Sequence, residues 1–319
     1  MTARLRVEGL SVPVPMGRGW GIRPAPVPFI VQDVSLEVGE GETLGIVGES
    51  GSGKTTLGRA IIGLVRASAG TIALDGETLP DLAEASFRKI RRSVGLLFQN
   101  PTGSFNPRMR VASVVAEPWA IDGVEPGDVG ALLQSVGLPA GFARRFPHEL
   151  SGGQARRVAL ARALAAGAKT LIADEPTAGL DVSVQGEILN RLLDLKRERG
   201  LSLLFITHNL PVIRHAGDRI AVMYLGRIVE TGPTAAVTAR PAHPYTAALL
   251  AAEPLPDPTR RIATAPLAGE VPSLFARPPA CEFHPRCPRA RALCRKVAPA
   301  AREIAPGRIV ACHDPIGEP

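Results

Sequence analysis

The residues most able to do chemistry are Gly48, Glu49, Ser50, Gly51, Ser52, Gly53, Lys54, Thr55 and Thr56. They fit the pattern G-x-x-x-x-G-K-[ST] in full, the pattern of a phosphate-cradling loop. Glycines let the backbone wrap an anion closely, and backbone N–H groups at a helix N-terminus attract phosphate. Lys54 would reach the β- and γ-phosphates, and the Thr55 hydroxyl would ligate Mg²⁺. Such a loop needs a strand before it and a helix after it. Thr43-Leu44-Gly45-Ile46-Val47 reads as a short buried strand, and Leu57, Ala60, Ile61 and Leu64 recur at helical spacing.

A second set of candidates lies at strand ends, where α/β proteins place ligands. Asp174 follows the apolar run Thr170-Leu171-Ile172-Ala173 and suits a carboxylate aimed at Mg²⁺, with Glu175 next to polarise a water. By themselves the two carboxylates serve equally well as a structural ion pair or cap. Gln99 ends the run Ser93–Phe98, and His208 ends the run Leu201–Ile206.

The elements that must position these groups alternate. Strands are expected at 4–10, 34–44, 70–74 and 93–98, then at 170–173 and 201–206. Between the later ones lie helical faces carrying Val158, Ala161, Leu164 and Ala165, and then Ile188, Leu189, Leu192 and Leu193. Apolar strands alternating with amphipathic helices predict an α/β fold with a parallel sheet covered on both faces. The Pro- and Gly-rich stretch from Pro13 to Pro28 predicts a loop.

The 319 residues suffice for a full α/β core and a smaller appendage. No run of about 18 uncharged apolar residues predicts a membrane span, and the first residues lack the apolar segment of a signal peptide. A cytoplasmic protein is the expectation. The net charge of +7 is spread among interleaved acids, apart from short clusters such as Arg88-Lys89-Ile90-Arg91-Arg92. It therefore reads as a solvated surface, and no nucleic-acid partner is expected. Half of the 30 prolines fall from Pro241 onward, which excludes long helices and central strands there and sets an expected boundary near residue 240.

Leu150-Ser151-Gly152-Gly153-Gln154 resembles the signature motif of ABC-type ATPases. Beside it, Gln99 resembles the Q-loop glutamine, Asp174-Glu175 the Walker B pair, Gly179-Leu180-Asp181 the D-loop and His208 the H-loop histidine. The resemblance implies a phosphate-loop ABC ATPase domain over residues 1–240, with a helical subdomain at about 100–165. It implies head-to-tail pairing, so that Ser151 and Gly153 contact the γ-phosphate of a nucleotide held by a partner domain. It also implies Mg²⁺ held by Thr55, Gln99 and Asp174, Glu175 as general base and His208 on the γ-phosphate. An aromatic that stacks on adenine in the family has no counterpart in Leu10–Pro15; Trp20 and Phe29 are the substitutes at hand.

Several segments resemble the ATP-binding subunits of peptide and nickel importers: Gln99–Arg108, Phe146–Glu149, Asp181–Gln185, and His243–Leu250. This resemblance implies two transmembrane permease subunits, a second ABC ATPase subunit (a heterodimer) and an extracytoplasmic solute-binding protein. The chain would sit as a peripheral protein on the cytoplasmic face of the cell membrane. The alternative is a soluble ABC ATPase acting on ribosomes or nucleic acid. Residues 241–319 resemble the C-terminal extension of oligopeptide-type importer ATPases, where four cysteines hold a [4Fe–4S] cluster in some members. Cys281, Cys287, Cys294 and Cys312, spaced C-x5-C-x6-C-x17-C, are the corresponding set. Zinc and no metal are the other readings. Zinc lacks its usual C-x2-C knuckles here, and disulfides do not suit a reducing compartment.

Overall fold

The computed structural model describes residues 3–15, 27–79, 81–253 and 269–317. In chain order the elements are strands β1 (Ala3–Pro13), β2 (Phe29–Gly39) and β3 (Thr43–Val47), helix α1 (Lys54–Ile61), then β4 (Ala69–Leu74), β5 (Glu77–Thr78), α2 (Glu84–Ser93) and β6 (Val94–Leu97). They continue with α3 (Val111–Asp122), α4 (Val129–Ser135), α5 (Gly152–Ala165), β7 (Thr170–Asp174), α6 (Val182–Arg199), β8 (Ser202–Ile206) and α7 (Leu210–Ala216). The last are β9 (Arg219–Tyr224), β10 (Arg227–Pro233), α8 (Thr234–Ala239), α9 (Pro244–Ala251), β11 (Arg302–Ala305) and β12 (Arg308–Val310). A small sheet has the order β2-β1-β4-β5.

The chain divides into two compact units. The first comprises Met1–Leu5, Glu37–Thr43 and Ala73–Ile206. Its strands run in the order β8-β7-β6, paired in parallel, with Leu97 opposite Ala173 and Asp174 opposite Ile206. Every residue of β7 and β8 is buried, as strands covered on both faces require. Helix α5 buries Val158, Ala161 and Leu164 and packs on α3, whose Val111, Val114 and Val115 are buried. On α6 the buried stripe is Ile188, Leu189, Leu192 and Leu195; Leu193 is only half-buried.

The second unit comprises Arg6–Leu36, Leu44–Ile72 and Thr207–Pro319. Its strand order is β11-β12-β10-β9-β3: β3 is parallel to β9, and the remaining pairs are antiparallel. The sheet is therefore mixed rather than parallel throughout. The proline-rich tail supplies β11 and β12, short strands in which β12 pairs directly with β10. Strand β10 carries one extra residue between Ile228 and Glu230, and beside this bulge the Glu230 side chain is fully buried. Helix α1 ends at Ile61, and Leu64, expected on its apolar face, is half exposed.

His243 caps α9: its Nδ1 accepts the Tyr245 N–H at 3.0 Å, which requires a neutral ring. Burial holds this imidazole down from 6.5 to about 4. Below pH 6.5 the unfolded chain takes up the proton first, so stability is complete above that pH and falls as the pH drops towards about 4. The loss should reach up to ~3 kcal/mol. His243→Asn, which keeps an acceptor, should flatten the decline in urea midpoint between neutral and acid pH. Glu230 and Arg308 lie close by and remain in that variant, so any common slope belongs to them.

Candidate functional site

Two groups of candidate residues emerge, one in each unit. In the second unit the phosphate loop joins β3 to α1, as the motif requires. Gly53 is the N-cap of α1 with φ 99°, and a Cβ there would stand 2.6 Å from the Ile30 carbonyl oxygen. Both the left-handed conformation and the close approach demand glycine. Lys54 is buried and folds back over the loop. Its Nζ donates to the Gly48 and Glu49 carbonyls, each at 2.8 Å, and to Ser52 Oγ at 3.2 Å. The Ser52 N–H donates to the Glu49 carbonyl at 3.2 Å. The ammonium is thus held against the carbonyls of a loop that can take an anion. His208, in the same unit, is exposed at the start of the turn leading into α7, after buried Thr207. Phe29 opens β2 half-buried, and Trp20 lies outside the described residues.

In the first unit, Asp174 is buried at the end of β7. Glu175 follows with φ 50°, a left-handed conformation rare for a residue with a side chain. Two backbone bonds hold it: its N–H donates to the Ile206 carbonyl at 2.8 Å, and its carbonyl accepts the Ala178 N–H at 3.1 Å. Strain of this kind gathers at functional positions.

The signature residues open α5. Ser151 is the N-cap; its Oγ accepts the Gln154 N–H at 3.3 Å, and Gln154 Oε1 accepts the Ser151 N–H at 3.0 Å. This reciprocal pair is a capping box. It leaves Ser151 and Gly152 exposed at the positive end of a helix with no acid in its first turn. Gly153 is buried, and a Cβ there would meet Val184 Cγ1 at 2.9 Å, so α5 and α6 approach closely only without a side chain at this position.

Arg156, on the next turn of α5, ties the candidate Gln99 to the segment just before Gly179. Its guanidinium donates to the Gln99 carbonyl at 3.3 Å and to the Ala178 carbonyl. Gln99 itself is exposed. Asp181 caps α6, accepting from the Val184 N–H at 2.9 Å and the Ser183 hydroxyl at 2.6 Å, and these bonds lower its pKa, the hydroxyl foremost. Arg156 was not expected from the sequence, since an arginine after a helix start carries no motif of its own.

The four cysteine thiols lie close enough to influence one another. Burial is the main force raising Cys281, Cys287 and Cys312, the last to about 11, and the other thiolates push further in the same direction. They are not disulfide-bonded. Among the described residues, however, no group of three or more His, Cys, Asp or Glu side chains is arranged to hold a metal ion. The expected zinc or iron–sulfur site is therefore not assembled as a ligand set. Among the same residues no helix is long and apolar enough to cross a membrane.

Comparison with known proteins bears on these groups directly. Residues 31–178 match the family model described as ABC transporter, and residues 229–294 match the one described as the C-terminal region of oligopeptide/dipeptide transporters. The Sinorhizobium fredii protein y4tS, named as a peptide ABC transporter ATP-binding protein, is 45% identical over 98% of this chain and 90% of its own length. The oligopeptide transport ATP-binding protein OppF of Salmonella typhimurium is 44% identical over 89% of this chain and 87% of its own. Among solved structures, cbiO1 of Clostridium perfringens, part of an ABC transporter complex, superimposes with TM-score 0.64 at 28% identity over 75% of this chain and 92% of its own. The dimeric ABC transporter cassette MJ0796 gives 0.63 at 29% identity, over 72% of this chain and 98% of its own. A glutamate in left-handed backbone at the end of β7, a helix capped by Ser151 and a loop closed over by Lys54 thus occur in a chain that belongs to the ABC transporter ATP-binding subunits, with the C-terminal region of the oligopeptide/dipeptide branch.

Proposed function

We propose that the chain is the ATP-hydrolysing subunit that energises import of peptides, or of a related small solute such as a nickel complex or an opine. The match of residues 229–294 to the oligopeptide/dipeptide transporter C-terminal region carries the import reading. In this reading Gly48–Thr56 bind the triphosphate, with Lys54 leaving the loop carbonyls for the β- and γ-phosphates. Thr55, Gln99 and Asp174 would hold Mg²⁺, which neutralises charge on the phosphates when bound. Glu175 takes the proton of the attacking water and His208 holds the γ-phosphate. Ser151 and the N–H groups of Gly152 and Gly153 serve a nucleotide bound by the partner ATPase; the exposure of Ser151 and Gly152 at a helix N-terminus supports this. Asp181 serves as the D-loop aspartate in the same reading.

The functional division proposed is an ATPase domain over 1–240, with its helical subdomain at about 100–165, and an extension over 241–319. The subunit would sit at the cytoplasmic face of the cell membrane against two permeases, paired with a second, related ATPase and served by a solute-binding protein. Affinity purification of the chain from its native membranes tests this. Two permeases and a second ATPase are expected to accompany it; ribosomal proteins, or no partner, would overturn it.

A [4Fe–4S] cluster on Cys281, Cys287, Cys294 and Cys312 is the finer proposal for the extension. Its support is the match of residues 229–294, which hold three of the four cysteines, to the oligopeptide/dipeptide transporter C-terminal region. Anaerobically purified protein should contain iron and sulfide and show a broad visible absorbance. Colourless, iron-free protein would remove the proposal.

A further inference from the structure

Glu49, the second residue of the phosphate loop, is gripped by two side chains from far along the chain. Arg286 forks onto its carboxylate, with Nη1 2.8 Å from Oε2 and Nη2 3.0 Å from Oε1. The Glu49 N–H donates to the Tyr245 hydroxyl at 2.8 Å. With the Glu49 carbonyl taken by Lys54, side chain and both backbone groups of this residue are engaged. A planar bidentate fork fixes orientation as well as distance.

The two gripping residues are themselves held firmly. The Arg286 side chain is 4% exposed, and its guanidinium lies over the Tyr224 ring, 5.8 Å from the centroid. Tyr224, Tyr245 and Phe283 form a buried aromatic cluster with centroids 4.7–5.5 Å apart. Arg286 ends the turn that begins at Cys281, closed by the His284 N–H on the Cys281 carbonyl and the Arg286 N–H on the Phe283 carbonyl, each at 3.0 Å. The cysteine-bearing turn therefore aims an arginine at the loop.

The charge arrangement has a consequence for nucleotide. A carboxylate in a loop that must receive a polyanion repels it, and an unpaired one would swing towards Lys54. Arg286 neutralises the carboxylate and holds it in a fixed bidentate pair. We propose that Arg286 and Tyr245 are positioning residues for the phosphate loop, through which the C-terminal extension sets the affinity for ATP. The proposal rests on the reading of this loop as the ATP site.

The test is equilibrium titration of the full chain with Mg-ATP, read first for the wild type and Lys54→Ala. No binding by the wild type, or equal binding by Lys54→Ala, would overturn the ATP-site reading itself. With that reading secure, Arg286→Gln should weaken binding by at least about tenfold, since it strands a carboxylate in the loop. Glu49→Gln/Arg286→Gln should return to within about twofold of Glu49→Gln alone, because the pair acts as a unit. Unchanged affinity in Arg286→Gln would overturn the proposal. So would a double variant weaker than Glu49→Gln by the full Arg286→Gln factor. If Arg286→Gln fails to fold, Tyr245→Phe, lacking one hydroxyl, decides the matter: a loss of about threefold supports the proposal and unchanged affinity overturns it.

Discussion

Glu175→Gln is expected to lower ATP turnover of the assembled transporter at least about a hundredfold, the scale of losing a general base. Nucleotide affinity should stay within about threefold of the wild type, because the variant removes basicity and not shape. The structure explains why the substitution is clean. The left-handed backbone of Glu175 is held by its N–H on Ile206 and by the Ala178 N–H on its carbonyl, neither of which involves the side chain. Gln therefore inherits the same backbone placement and a similar length, but cannot accept a proton. Steady-state phosphate release and equilibrium Mg-ATP binding, measured on the same preparation, separate the two quantities. Undiminished release would remove Glu175 from the base role. Loss of binding with loss of release would point to a structural role.

The strand–loop–helix around Gly48–Thr56, the helix after Ser151 and the strand ending at Asp174 were legible because each is local. A loop of fixed spacing, a capping box at Ser151 and Gln154, and an apolar run ending in Asp174 all carry their physics within a few residues. Leu64 misled for the same reason in reverse: helical spacing continued in sequence past Ile61, where the helix stops. What the sequence hid is non-local. Nothing near Arg286 points to Glu49, 237 positions away, and nothing near Arg156 points to the Gln99 and Ala178 carbonyls. The tail likewise reads as proline-rich and strand-poor. Its β11 and β12 are only four and three residues long and gain their stability by pairing with a sheet built from earlier segments.

Glu230→Ala should be the most damaging single change to the fold, at about 3–5 kcal/mol. The Glu230 side chain is 0% exposed and satisfies three donors: the Ala242 N–H at 2.9 Å, the His243 N–H at 2.8 Å and Arg308 Nη2 at 2.8 Å. Two of those donors lead into α9 and the third belongs to β12, so one carboxylate on β10 anchors the extension at two places. Removing it leaves a largely buried guanidinium with the Arg240 carbonyl but without its carboxylate, and takes the acceptor from two backbone N–H groups, which is costly. Glu230→Gln keeps an acceptor and should lose roughly half as much, mainly the charge attraction to Arg308. Urea unfolding with a tryptophan-independent probe such as far-UV circular dichroism measures both. The same logic makes cutting the chain after residue 240 destructive: it removes every partner of Glu230 named here and leaves a buried carboxylate on β10. A soluble, cooperatively unfolding 1–240 fragment would show that the sheet does not need its last two strands, and would detach the extension from the stability of the ATPase.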